Sequence, residues 1–475
     1  MVPDDLIELI ETRAKWLRKE DGGKRACLAG AELSGVSLPA VMLHQADLRG
    51  AHLEGANLVG AQLSESVLSY ANLSEANLTG AMLATAKVFH ADLSGANLNG
   101  ACLYGTNLHG ANLPLADLTN ANMHGANLER ALLGDANLRG ADLSNANLSG
   151  AYLPGAELSN AVLQEADLSG ATLTGAVLGC SEDGPVGQPD TGFATTLLRG
   201  ANLVKANLRG ADLRYSDLAG ANLGGANLRH ANLRGTYLAT ATLSHASLSD
   251  ADMRSANLHE ADLSYVDLSW ARLCHANLSM ANVSCADVMD ANLDSTYLAW
   301  ANLEYADLSR ANLHDADLSG ASLEGADLFR ANLSGANLRG ARLKGCIARG
   351  ANLRGADLRG ADVRGVDFTG ADLTAADIGD ADLTDATLTD AKGILALGPM
   401  GSRNAKLYIV AFPETRMYST ARFSGTEQAF MRLIAVQEPR DPRDKVYRDV
   451  VDMVRSALPY AEVDDACCAA VRGGG

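Results

Sequence analysis

The chain has 475 residues, 57 acidic against 39 basic side chains, a formal net charge of −18 and only 5% aromatic residues. So acidic a composition excludes wrapping of duplex nucleic acid, which needs a lysine and arginine face to displace counterions, although it leaves imitation of nucleic acid open. No apolar run approaches the roughly 20 residues that a membrane span requires, and the eight cysteines (27, 102, 180, 274, 285, 346, 467, 468) have neither CxxC spacing nor a regular framework, so neither a zinc site nor a disulfide scaffold is expected.

The N-terminus opens MVPDDLIELIE, acidic where a secretory signal would be basic, and the expectation is a cytoplasmic protein. Residues 4–19 read as one amphipathic helix, with Leu6, Ile7, Ile10, Ala14 and Leu17 on one side and Asp4 and Asp5 favourably near its start. The helix stops at Gly22-Gly23, and residues 1–25 are expected to lay its apolar face and Trp16 over whatever follows.

From Ala26 the sequence falls into blocks of five, as in ANLRGADLRGADV at residues 351–363. Residues 26–180 hold 31 blocks and residues 196–390 hold 39; Leu is third in 61 of them and Ala first in 59. A period of five fits neither the 3.6 of a helix nor the 2 of a strand, yet it sets two apolar residues, two apart, in every block. If each block is one short side of a coil, Leu fills the centre, Ala lies close to the wall and the other three side chains face water. That pattern describes a solenoid with a continuous core.

These blocks resemble the pentapeptide-repeat family. The resemblance implies a mainly β fold, a right-handed quadrilateral β-helix with four blocks per turn. An internal check agrees: the one block with a small central residue has Ala348, the one Phe centre is Phe368, and the two are twenty residues apart, so four blocks per coil would stack the ring over the space that the small side chain leaves. With coils about 4.8 Å apart, the arrays predict a rod of roughly 80 to 90 Å, whose open ladder ends need covers.

Residues 181–195, SEDGPVGQPDTGFAT, break the pattern but keep its register. Asp183 and Gln188 at would-be core positions predict a loop over at least 181–190, with Phe193 a candidate for return to the core. Loops on rigid scaffolds often carry recognition, and this segment reads either so or as a tolerated insertion. The second array runs over 196–392. Beyond it, residues 393–475 read as a small α+β module: strands over 407–412 and 416–423 joined by a turn, a helix capped by Thr426, and another over 444–458. AKWL, GGKRACL and GPMGSR…FSGT resemble segments that accompany such repeats in uncharacterised bacterial proteins, which implies no activity.

The ten histidines form no ligand cluster when positions are folded at twenty per turn, and the aspartates sit at second positions where the family interchanges Asp and Asn, so no catalytic residue, metal or other cofactor is expected. Residues 26–180 carry −9 and residues 196–390 carry −8, well short of the one charge per about 1.7 Å that duplex DNA presents.

Two surfaces stand out in the sequence. Asp367, Asp372, Asp377, Asp380, Asp382, Asp385 and Asp390 form an acidic collar, preceded by a basic belt of Arg339, Lys344, Arg349, Arg354, Arg359 and Arg364 at the fourth positions of six successive blocks, a pairing that suggests end-to-end or tail docking. Apolar residues cluster at fifth positions: Tyr265, Cys285 and Tyr305 would share one corner, Met280 and Trp300 the next, with Trp270 nearby. These features predict a non-catalytic, rod-like scaffold for protein partners, with a homodimer among the expected assemblies. The alternative that the resemblance implies is a DNA mimic that binds gyrase or topoisomerase and protects it from quinolone-type inhibitors.

Overall fold

The computed structural model describes residues 25–179, 195–400, 405–411, 416–420 and 423–426. The expected N-terminal helix, residues 181–194 of the expected loop and the two expected helices beyond Thr426 lie outside the described residues. The chain divides into two compact units, Met1–Asp267 and Leu268–Gly475.

Within each unit, every block contributes one rung to a parallel ladder that returns after twenty residues, as in Cys27↔Asp47↔Val67 of the first unit and Asn292↔Asn312↔Asn332 of the second. Four blocks therefore make one turn of a β-helix. Backbone N–H groups away from water must find acceptors, and one stretch shows how all five do so. Asp47 N–H bonds back to Ala26 O (2.9 Å), Leu48 N–H forward to Val67 O (2.7 Å), Gly50 N–H forward to Ser69 O (3.0 Å), and Ala51 N–H closes the turn on Leu48 O (3.0 Å). The fourth N–H, of Arg49, is left for the Asp47 side chain, whose Oδ1 accepts it at 3.3 Å. His314 N–H and Asn312 Oδ1 repeat the arrangement in the second unit, also at 3.3 Å. Asn and Asp interchange at the second position because each supplies this oxygen. The second side chain is thus part of the wall, half-buried at many blocks, where the pattern alone puts it in water.

First-position Ala and third-position Leu fill the interior of both units. Polar groups that replace Ala find carbonyls: Thr106 donates to Leu83 O (2.7 Å), Thr296 to Leu273 O (3.0 Å) and the Cys346 thiol to Leu323 O, all of the preceding coil, whereas Ser66 and Ser216 donate to Leu63 O and Leu213 O (2.6 Å each) of their own. Burial pushes the Cys346 thiol up to about 12, so it is inert at neutral pH.

In the first unit the ladder steps by thirty-five residues at Val162↔Leu197, Asp167↔Asn202, Thr172↔Asn207 and Val177↔Asp212, then returns to twenty at Leu197↔Asp217. The excess of fifteen equals three blocks, so the coil keeps its register. Thr196 anchors the resumption, donating to Leu158 O (3.0 Å) and accepting from Asn160 N–H (3.1 Å).

The second unit ends in an antiparallel meander: β1 (Ile394–Met400), β2 (Ala405–Ala411), β3 (Arg416–Thr420) and β4 (Phe423–Thr426), paired in that order. The sequence predicts no strand before residue 407 and a single strand over 416–423. Instead β1 precedes them, its Gly398-Pro399 lying at a break in register between Leu397 and Met400, where a missing donor is tolerated. The 416–423 stretch folds back as a hairpin, with Thr420 opposite Phe423 and Thr426 closing β4. Tyr408, buried, donates its hydroxyl to Leu383 O of the last coil (3.2 Å), and Ile394 and Ile409 are buried beside it. Burial, with Asp382 and Asp385 nearby, holds that hydroxyl above its usual range and keeps it a donor. At the exit from the coil, Gly393 has φ 76°, and a β-carbon there would meet Thr374 Cα at 2.3 Å, so only glycine fits.

Ala348 and Phe368 are both buried, on one wall in adjacent coils, with Ala348 N–H bonded to Asp367 O at 2.9 Å. Phe368→Leu and Ala348→Leu should each lower the unfolding free energy, by about 1–3 kcal/mol. The double variant should lose about 1 kcal/mol less than the two losses added together, measured by urea unfolding. Strict additivity would contradict stacking of the two residues.

Candidate protein-interaction surface

The fifth residue of every described block has φ between 53° and 71°, the left-handed region. It is the third residue of the turn that the first-position N–H closes, where a type II turn requires positive φ. Gly meets this freely, whereas an L-residue costs roughly 1–2 kcal/mol. Sixteen successive block ends, from 240 to 315, nevertheless lack glycine, ten of them in the second unit from 270 onward, before Gly320 and Gly325 end the run.

This run carries the aromatic residues. Trp300 is 68% exposed and Tyr305 65%, and Trp270 and Met280 are also exposed, while Cys285 is half-buried. Met280 and Trp300 occupy one corner on successive coils, and Cys285 and Tyr305 the next; their backbones are tied by Met280 N–H to Ala299 O (3.0 Å) and Cys285 N–H to Glu304 O (2.9 Å). Trp270 shares the following corner with Asp290 and Arg310, which form a bidentate ion pair. Tyr265 belongs to the first unit, where it stacks on His245 with ring centroids 5.0 Å apart.

The rings lean onto the next coil. A β-carbon at Gly320 would lie 2.7–2.9 Å from Trp300 Cε3, Cζ3 and Cδ2, a near-equidistance that puts the face of the indole over the glycine. One at Gly325 would meet Tyr305 Cε1 at 2.7 Å. Glycine below each ring is therefore what lets it lie down. Tyr297, 56% exposed, joins the surface from a second position, and its signal was a tyrosine in place of Asn or Asp.

A second apolar surface, in the first unit, escapes a fifth-position search because most of it lies on a wall. Leu132 and Tyr152 are exposed on adjacent rungs, flanked by Pro114, Pro154 and the 70%-exposed Leu115. Pro154 has no N–H, so Tyr152 gives up no wall hydrogen bond by replacing Asn.

The basic belt and the acidic collar are not two separate surfaces. A fourth-position arginine reaches back to the aspartate of its own block and forward to that of the next coil: Arg364 binds Asp362 at 2.6 Å and Asp382 at 3.6 Å, and Arg359 binds Asp357 and Asp377 alike. Arg349 pairs with Asp367, Arg354 with Asp372 (3.6 Å) and Lys344 with Glu324 (3.7 Å); the charge of Arg339 acts on Asp357. The remaining collar residues, Asp380, Asp385 and Asp390, are exposed corners. Hydrogen bonds from Arg359 and Arg364 hold the carboxyls of Asp357 and Asp362 below their ordinary range. Among the described residues no three His, Cys, Asp or Glu side chains converge to hold a metal, and no helix is long and apolar enough to cross a membrane.

A family model described as pentapeptide repeats matches residues 24–83, 90–179, 196–288 and 291–390 in overlapping segments. Among solved structures, the chain is similar to HetL, a pentapeptide repeat protein involved in heterocyst differentiation regulation from Nostoc sp. Strain PCC 7120, at 38% identity over 41% of this chain and 88% of that one, TM-score 0.41. It is similar to Rfr23 from the cyanobacterium Cyanothece 51142 at 38% identity over 19% of this chain and 63% of that one, TM-score 0.19. Trypsin-treated QnrB1, a plasmid-mediated fluoroquinolone resistance protein, aligns at 20% identity over 40% of this chain and 88% of that one, TM-score 0.30. No curated protein sequence matches.

Two outcomes follow from this geometry. Ser255→Gly, at an exposed corner, should raise the unfolding free energy by about 0.5–1 kcal/mol, and Gly345→Val, in open space at φ 70°, should lower it by about 1–2 kcal/mol. Because the pKa values of Asp357 and Asp362 are lowered on folding, the stability they contribute is fully present above the unfolded carboxylate range near pH 4 and is lost as pH falls through the folded values. Arg359→Gln with Arg364→Gln should flatten that acid limb in urea unfolding followed against pH, and an unchanged limb would contradict the ladder.

Proposed function

This chain belongs to the pentapeptide-repeat family, and we propose that it is a non-catalytic scaffold that binds protein partners through the outer corners of its coil. The observation that carries this reading is the unbroken run of ten non-glycine corners over 270–315 of the second unit, each in a backbone conformation that glycine would adopt without strain. Such a run destabilises the fold, so its side chains are retained for what they present to the outside. Exposed Trp and Tyr are the residue types that anchor protein interfaces.

The non-catalytic part of the reading rests on how the carboxylates are used. Second-position aspartates accept backbone N–H groups, as Asp307 does from Ser309 at 2.9 Å, and those of the acidic end are paired with arginine. The same pairing weighs against DNA mimicry. Asp367 and Asp372 are each paired with an arginine, and Asp377 and Asp382 share theirs with Asp357 and Asp362.

The test is affinity capture with the full-length tagged protein, wild type against Trp300→Ser with Tyr305→Ser. The substitutions should leave the circular dichroism spectrum unchanged and reduce recovery of a specific partner by about 10-fold or more, since interface anchors are commonly worth 2 kcal/mol or more. Recovery unaffected by them would contradict the assignment. Recovery of gyrase, with protection in a supercoiling assay, would establish the mimic instead.

A further inference from the structure

We propose that the surface formed by Trp300, Tyr305 and the aspartate column beside them receives an arginine-bearing extended segment of a partner protein. The inference rests on the scaffold reading and names the chemistry of its partner. Trp300 turns one face of its indole to Gly320, and the side chain is 68% exposed. A planar guanidinium stacks on such a face and at the same time keeps its N–H edge free for carboxylates.

The carboxylates stand one wall further round the coil, beyond the Tyr305 corner. Going round the coil from Trp300, the wall of Asn302 and Glu304 leads to the Tyr305 corner, and the next wall carries Asp287, Asp307 and Asp327 on successive rungs. Among the described residues of either unit, no other column holds aspartate on three successive rungs. Each Oδ1 accepts a backbone N–H, from Met289 (3.1 Å), Ser309 (2.9 Å) and Phe329 (2.8 Å), so the carboxylates are fixed in orientation. Like charges on adjacent rungs repel.

Elsewhere in the same unit the chain answers this repulsion itself. Arg359 is shared by Asp357 and Asp377, and Arg364 by Asp362 and Asp382. The column of Asp287, Asp307 and Asp327 has no ion pair of this kind among the described residues. Arg310 is bonded to Asp290 at the corner, although the charge of Asp307 also acts on it, and Arg330 lies over the Phe329 ring at 5.0 Å to its centroid. Most of the matching charge is therefore a partner's to supply, next to the exposed Tyr305 ring and one wall from Trp300. Rungs lie about 4.8 Å apart and alternate side chains of an extended segment about 6.6 Å, so two flexible arginines span the column.

The test uses the full-length protein and a hexapeptide of alternating glycine and arginine, with its citrulline counterpart, which keeps shape and hydrogen bonding but loses charge. Binding is read by calorimetry and tryptophan fluorescence at low ionic strength. The arginine peptide should bind, the citrulline peptide about 10-fold more weakly, and Trp300→Ser should cost about 5- to 10-fold. Asp287→Asn, Asp307→Asn and Asp327→Asn together should cost about 10-fold while leaving the fold intact, because asparagine keeps the Oδ1 acceptor. Equal binding of both peptides, still dependent on Trp300, would overturn the cationic inference while leaving the scaffold reading in place. Failure of the arginine peptide to bind, or binding indifferent to every substitution, would overturn the proposal, and the partner capture described above would still decide the scaffold reading by itself.

Discussion

The parallel backbone ladder, closing every twenty residues, is the constraint on which everything else depends. Its second-position N–H bonds back and its third and fifth bond forward, so neighbouring coils are locked in register at every block. That lock turns first and third side chains inward, and a narrow interior then admits Ala beside the wall and Leu at the centre. It also explains what the chain can tolerate. At Val162↔Leu197 the ladder absorbs fifteen additional residues because they amount to whole blocks, whereas a single extra residue would turn every inward side chain outward.

The ladder leaves the fourth N–H without a backbone acceptor, and the Asn or Asp two residues earlier supplies one. Second positions are therefore structural before they are anything else. The fifth position differs. It belongs to the turn, its side chain makes no required contact, and its backbone favours glycine. Side chains placed there work against stability, so their identity reports on the surface with little interference from the fold.

The β-helix was legible because its signal is repeated in every block, and the separation of Ala348 from Phe368 even indicated the number of blocks per turn. The arginine ladder was hidden for a geometric reason. A fourth-position Arg meets the second-position Asp eighteen residues on, a diagonal that exists only once the coil is closed, so Arg364 and Asp382 read as members of two surfaces. Strand β1 was hidden by Gly398-Pro399, a turn signal that the structure uses at a break in strand register. The aromatic corners were visible as residue types, but the glycines beneath Trp300 and Tyr305 acquire meaning only from the contact. The Leu132–Tyr152 wall could have been found by asking which second positions twenty apart are apolar.

The central claim is that the corners over 270–315 are retained for recognition at the expense of the fold. Its most direct test replaces all ten with glycine in one variant and measures its thermal unfolding midpoint together with its partner binding. The account predicts a midpoint equal to or above that of the parent, with binding lost. A midpoint several degrees lower, with binding kept, would show that these side chains hold the coil together, and would contradict it.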